Sequence, residues 1–147
     1  MVFTKTDETY ATYELRYDAD GTVWAQAQAH DTLVAKTVYK IVVNEFGQIT
    51  AAQASDTNYT YLGVAAEAAA AADIVWLQVG GYVTGMITPS LTISQGHALA
   101  MNSGAIADSG ADYAGTGGEF AAHAAATDAA AAAVHTVMLV PKIILGA

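Results

Sequence analysis

One phrase occurs twice in this chain. Gly63–Gly81 reads GVAAEAAAAADIVWLQVGG, and Ala121–Pro141 reads AAHAAATDAAAAAVHTVMLVP. Each copy has alanines around a polar residue, five consecutive alanines, and then an apolar run with β-branched residues. Alanine is the best helix former. Yet Ala65 to Ala72 would make only two turns, and an isolated helix under about 12 residues is marginal. Asp73 would also sit at the negative end of that helix's dipole. The phrase therefore predicts a strand YLGVAAE, a crossing of small residues and a strand DIVWLQV. Gly80-Gly81 then permits a kink or bulge before YVTGMI. In the second copy the same reading gives strands EFAAHAAA and VHTVMLV, although Asp128 could cap a short helix through its alanines. Two hairpins of similar shape make the phrase architecture rather than chemistry.

The rest of the chain is also strand-like. In TYATYELRYDADGTVWAQAQA, Tyr13, Leu15 and Tyr17 fall on one face and Thr12, Glu14 and Arg16 on the other, a period of two. DADG supplies turn residues and Thr22 to Ala29 alternates again, so a hairpin is expected. DADG lacks the remaining ligands and the closing glutamate of a calcium loop. TVYKIVV reads as a third strand, closed by the turn residues of NEFGQ, with QITAAQA pairing back across it. TPSLTISQGHALAMNSGAI reads as strand, turn, strand, punctuated by Pro89, Gly96 and Gly104. ADSGADYAGTGG reads as a long loop, mobile or facing a partner. Short strands at turn-separated intervals predict an all-β fold, a small β-barrel or sandwich of short antiparallel strands with an extended N-terminal hairpin or arm. The expected division is an arm over residues 1–34 and a β-barrel core over residues 35–147.

Composition excludes several functions. Lys5, Arg16, Lys36 and Lys40 are followed by no basic residue until Lys142, in a chain of net charge −9. A nucleic-acid surface needs cations to displace counterions, so nucleic acid is not an expected partner. There is no cysteine, which removes disulfides, thiolate catalysis and cysteine zinc sites. The opening MVFTKTDETY lacks the layout of a secretion signal, and no window of about 18 residues is free of polar interruption. A soluble protein made in the cytoplasm, without a membrane partner, is expected. Charged residues make up 13% against about 25% in typical domains. Much of the surface is then expected to be neutral and small, as at the centre of an interface.

No enzyme emerges from the motifs. No serine stands in a Gly-x-Ser-x-Gly elbow, and Ser103 and Ser109 read as loop serines. The GTGG of Gly115–Gly118 lacks the lysine ending of a phosphate loop. His30, His97, His123 and His135 form no His-x-x-x-His pair. His123 and His135 could face each other across a hairpin, but two ligands do not make a closed metal site. Asp108 and Asp112 share the expected loop, where solvation is the default reading and a loosely held calcium ion the alternative. Trp24, Tyr39, Trp76 and Tyr82 fall on expected strands, with core packing the default and an exposed sugar-stacking platform the alternative. No catalytic, cofactor-binding or metal-binding residue is assigned.

From about Ala35 to Pro141 the sequence resembles the head decoration, or capsid cement, proteins of tailed bacteriophages. AKTVYKIVV resembles that group's first strand after an amino-terminal arm. YLGVAAEAAAAADIVWLQVGGYV is similar to its Gly-Val-Ala, alanine-rich turn, Asp, apolar strand and Gly. ISQGHALAMNSGAI resembles its second glycine-turn hairpin, and AAHAAATDAAAAAVHTVMLVP its closing hairpin. Residues 1–34 have no counterpart. The resemblance implies a small β-barrel that binds the outside of an expanded icosahedral shell, commonly as trimers at three-fold and quasi-three-fold positions. There it would bridge major capsid protein subunits and brace the shell against internal DNA pressure, placing this chain on the outer capsid surface of a virion. Tyr10, Tyr13, Tyr17 and Trp24 are the candidate interface residues, since Tyr and Trp are enriched at interfaces. The rival readings are a β-sandwich module binding carbohydrate or another surface ligand, and a small barrel enzyme gathering His123, His135 and a carboxylate.

Overall fold

The computed structural model describes residues 14–43, 49–53, 62–87, 97–102, 105–108, 119–124 and 134–139. Among these there are ten strands and no helix: β1 (Leu15–Tyr17), β2 (Val23–Ala29), β3 (Val38–Val43), β4 (Ile49–Gln53), β5 (Leu62–Ala65), β6 (Ile74–Ile87), β7 (Ala98–Asn102), β8 (Ala105–Asp108), β9 (Glu119–Ala124) and β10 (Val134–Leu139). Four hairpins read from the sequence are present as β1–β2, β3–β4, β5–β6 and β9–β10; β7 pairs instead with β8, which runs into the stretch expected as a loop.

Five strands close on themselves. The circuit runs β2–β4–β3–β5–β6 and returns to β2 through the β2–β6 ladder. The expectation of short antiparallel strands needs two amendments. β2 and β4 are parallel, because residues 30–37 carry the chain past one wall position before β3 begins and β4 then fills that position. β6 is 14 residues long, because it serves two sheets. β2 lies within the segment expected as an arm, and it is a wall of the barrel.

Barrel diameter grows with strand number, and about eight strands are needed before the interior holds ordinary side chains comfortably. A five-stranded barrel must therefore be lined partly with small residues. β2 alternates strictly: Val23, Ala25, Ala27 and Ala29 point inward, Trp24, Gln26 and Gln28 outward. Ala51 and Ala65 join the inward set, around Leu33, Tyr39, Ile41, Ile49, Val75, Leu77 and Val79. Gly63 completes the fit, since a Cβ there would stand 2.9 Å from Leu77 Cβ and 3.2 Å from Ile41 Cδ1. Ala25, Ala27, Ala29, Ala51 and Ala65 are thus core lining, while Ala68 and Ala70 to Ala72 of the alanine run are exposed.

The first alanine run crosses one end of this barrel. Leu33 and Ala69 exchange both backbone hydrogen bonds (2.9 and 3.1 Å), and Ala72 N–H donates to Ala29 O at 2.7 Å. Leu33 is fully buried beneath the crossing. Asp73, misplaced for a helix, suits a turn: its carboxylate accepts a hydrogen bond from Ala70 N–H at 2.9 Å. Ala72 takes φ 74°, a left-handed conformation that costs a Cβ-bearing residue about 1–2 kcal/mol. The second alanine run, Asp112 and the strand expected before Gly96 lie outside the described residues.

Beyond Gly80 the strand β6 leaves the barrel and becomes the edge of a second sheet, β6–β10–β9–β7–β8. The kink expected at Gly80-Gly81 is there, with Gly81 at φ 84°. Gln78, only 5% exposed, holds the bend by donating its side-chain amide to Gly80 O (3.1 Å) and Tyr82 O (2.9 Å). A second irregularity at Gly85, φ 77°, shifts the β6–β10 register between Val83↔Val137 and Met86↔His135. The extra residue lets Val83 and Met86 both face inward with Leu99, Val137 and Leu139, all buried, while Tyr82 and Ile87 face out. Val38 and Val64 point outward from the barrel yet are buried. That side of the barrel is therefore covered, and the Ile87 N–H bond to Lys36 O at 2.8 Å brings the far end of β6 to it.

Candidate functional site

The β1–β2 hairpin and the first half of β6 build a cluster on the barrel's outer wall. The register sets Arg16 opposite Trp24, Trp24 opposite Gln78 and Gln26 opposite Trp76. The two indoles are thus diagonal neighbours on one face. The Arg16 guanidinium carbon lies 5.3 Å from the Trp24 ring centroid and 4.9 Å from that of Trp76, both within cation–π range. Asp18 fixes the guanidinium from the other side, accepting from Nε at 2.9 Å and from Nη2 at 3.3 Å.

A chain of hydrogen bonds orients Trp24. Its indole N–H donates to Thr22 Oγ1 (2.9 Å), and the Thr22 hydroxyl donates to Asp20 Oδ1 (2.6 Å), which also accepts Thr22 N–H at 3.0 Å. The Thr22 hydroxyl and amide, in that order, hold the Asp20 carboxyl below its ordinary range, because hydrogen bonds to the ionised form favour it. Both aspartates of DADG that could have ligated calcium are engaged in this way, Asp18 by Arg16 and Asp20 by Thr22. DADG is a turn, with Gly21 N–H bonded to Asp18 O and Asp18 N–H to Thr22 O.

Of the four candidate interface residues, Tyr10 and Tyr13 lie outside the described residues. Tyr17 is 62% exposed at the end of β1, while Leu15 on the same face packs against the barrel core. Trp24 is half-buried on the outer wall. Core packing, expected for four aromatics, holds for Tyr39 alone; its hydroxyl accepts Val34 N–H at 2.7 Å. Trp24 and Trp76 are on the outside because their strands alternate against inward Ala25 and Leu77, and Tyr82 is exposed. The Arg16 bridge between them was not legible locally, since Trp76 lies on a strand that pairs with β2 from 50 residues away.

The other expected groupings do not form. Asp108 pairs with Leu99 in β8, so it belongs to a strand and not to the loop. The β9–β10 register pairs Ala124 with Val137 and Ala122 with Met138, leaving His123 at the irregular step between them. His135 instead pairs with Met86 on β6. The two histidines are not opposite each other. Among the described residues, no three His, Asp or Glu side chains come together as a metal-ligating group, and no helix is long and apolar enough to cross a membrane.

This all-β arrangement has a likeness among solved structures. Its fold is similar to that of a phage head-fiber base. One similar solved structure is the N base of head fiber gp8.5 in bacteriophage phi29, at a TM-score of 0.53 and 16% sequence identity. The match covers 82% of this chain and 95% of that one. Identity this low makes the likeness one of fold, a small all-β barrel with added strands. No family profile and no curated protein sequence matches the chain.

Proposed function

We propose that this chain is a structural protein of a tailed-phage virion, a homotrimer that binds the outer surface of an icosahedral head. In this reading it bridges major capsid protein subunits and stabilises the shell after synthesis in the host cytoplasm. The observation that carries the proposal is the fold likeness to the N base of a phage head fiber, nearly end to end on that chain. The order of hairpins that resembles capsid decoration proteins supports it independently. A ligand that binds only the assembled shell stabilises it by mass action, and several contacts per oligomer supply avidity without any catalytic group. The role needs no enzyme chemistry.

Tyr10, Tyr13, Tyr17 and Trp24 remain the proposed capsid-facing residues. Tyr17, exposed at the end of β1, supports this; Trp24, on the opposite face of the hairpin, has a ring already oriented by Thr22 and Arg16, so little freedom is lost there on docking. The same geometry counts against a sugar platform on Trp24 and Trp76, because Arg16 lies over both rings and is held there by Asp18.

Co-sedimentation with purified expanded capsids tests the proposal. Saturable pelleting, a rise in the temperature at which the shells rupture, and weaker pelleting of Tyr17→Ala are expected. Failure to pellet at any concentration with expanded shells would overturn it.

A further inference from the structure

Asp20-Gly21 is the one place in the sequence where an aspartate or asparagine precedes glycine. Such a bond is open to isoaspartate formation, because glycine puts no Cβ beside the attacking nitrogen and lets the chain take the shape the reaction needs. The Gly21 nitrogen gives up its proton and bonds to Asp20 Cγ, while a carboxyl C–O bond breaks and one water leaves. Water then reopens the five-membered imide. Opening at the side-chain carbonyl restores aspartate; opening at the main-chain carbonyl routes the backbone through Cβ and Cγ. Nothing is oxidised or reduced, and the mass ends unchanged. Asp20 and Gly21 are both exposed, so burial does not keep water or base from them.

The turn geometry does stand in the way. Gly21 N–H donates to Asp18 O at 3.1 Å and Asp20 has no positive φ, which makes Asp18–Gly21 a type I turn with Asp20 third. The Asp18–Gly21 bond fixes the peptide plane after Asp20, whereas ring closure needs that plane turned until its nitrogen eclipses Cβ. Asp20 Oδ1 is engaged as well, by the Thr22 hydroxyl at 2.6 Å and Thr22 N–H at 3.0 Å. These bonds hold the carboxyl toward Thr22 and favour its ionised form, while the oxygen leaves as water only from the protonated one. We propose that Asp20-Gly21 is a latent isoaspartate site, held closed in the folded protein by the turn hydrogen bond and by Thr22. Its opening would reach past the turn. The Gly21 carbonyl lies against the β6 bend at Gly81, and a backbone lengthened by one carbon cannot keep that fit.

The test is ageing of the full chain in warm, mildly acidic buffer, folded and in guanidinium chloride. Isoaspartate at residue 20 is read by fragmentation of the tryptic peptide Tyr17–Lys36, which also contains Asp18 and Asp31. The folded chain should accumulate it at least about tenfold more slowly than the denatured chain, since several hydrogen bonds must be given up before the ring closes. Thr22→Val, with folding confirmed by circular dichroism, should age severalfold faster than the unaltered chain. Thr22→Ser keeps the hydroxyl and should age like the unaltered chain. Equal rates in the folded and denatured chains would overturn the proposal. A folded Thr22→Val that ages no faster than the unaltered chain, or a Thr22→Ser that ages as fast as Thr22→Val, would overturn the part assigned to Thr22. The comparison of folded with denatured chain needs no variant, so it decides the proposal even where Thr22→Val does not fold.

Discussion

Gly81 lies against Gly21: a Cβ on Gly81 would stand 2.8 Å from the Gly21 carbonyl oxygen and 2.9 Å from Thr22 Cα. The DADG turn thus presses on the bend of β6 where barrel becomes sheet. Gly81 also holds φ 84°. Gly81→Ala meets both a strained backbone and a contact with main-chain atoms that cannot rotate away. A loss of at least about 2 kcal/mol is expected, read as a lower urea midpoint. Gly21→Ala, with open space around its Cβ, carries only the conformational part and should lose less.

Gln78 bridges two carbonyls across the same bend. Gln78→Leu keeps the volume and removes the donor, so a loss of about 1–3 kcal/mol is expected from the deserted carbonyls. Gln78→Glu should be worse at neutral pH, where a buried carboxylate would face two carbonyl oxygens, and should recover as the pH falls and the carboxyl becomes a donor again. Denaturant unfolding at pH 7 and pH 4.5 checks both statements.

Ala72 carries a left-handed φ that glycine adopts without a steric penalty. Ala72→Gly should raise stability by up to about 1 kcal/mol, the relieved strain being partly offset by the greater freedom of glycine in the unfolded chain. Thermal unfolding is the measurement, and a lower midpoint would contradict the strain assigned to this crossing.

Asp20 is held below the ordinary carboxylate range by the Thr22 hydroxyl and amide. A depressed carboxyl stabilises the fold at pH values above the unfolded value, and this contribution is lost as pH falls through the folded value. Asp20→Asn should therefore be less stable than the unaltered chain at pH 7. The gap should begin to narrow as pH falls to about 4, the ordinary value for an aspartate, and close only below the lowered value of the folded state. Urea midpoints against pH give the test; a gap that does not change with pH would remove the carboxylate from the Thr22–Trp24 chain.

The strands were largely legible because their signals are local. Alternation along Val23–Ala29 marked β2, turn residues marked DADG, and Asp73 argued against a helix in the alanines, where it turns out to bind Ala70. The pairing of strands was not legible. Nothing in Gln28 and Ala29 announces a parallel partner at Thr50 and Ala51, and nothing in Val23–Gln28 announces that the barrel closes on Ile74–Gly80. For the same reason Trp24 and Trp76 read as core: residue type suggested burial, but only closure says which face of the strand is inside. Small inward residues on β2 were the available clue, since a strand with Ala25, Ala27 and Ala29 on one face and Trp24 on the other cannot turn the tryptophan into a five-stranded interior.

The order of the chain gives β6 a hazard during synthesis. Its first half can dock on β2 and β5 as soon as residue 80 has left the ribosome. Its second half, Gly81–Ile87, pairs in the finished sheet with β10, which begins at Val134 after 46 intervening residues. At roughly 5–20 residues per second, that half waits about 2–9 s as an unpaired, uncharged edge. Nascent chains on neighbouring ribosomes carry the same edge over the same interval. Slower elongation between residues 88 and 133 would lengthen it, and with it the fraction of chains that pair with each other before they pair with themselves.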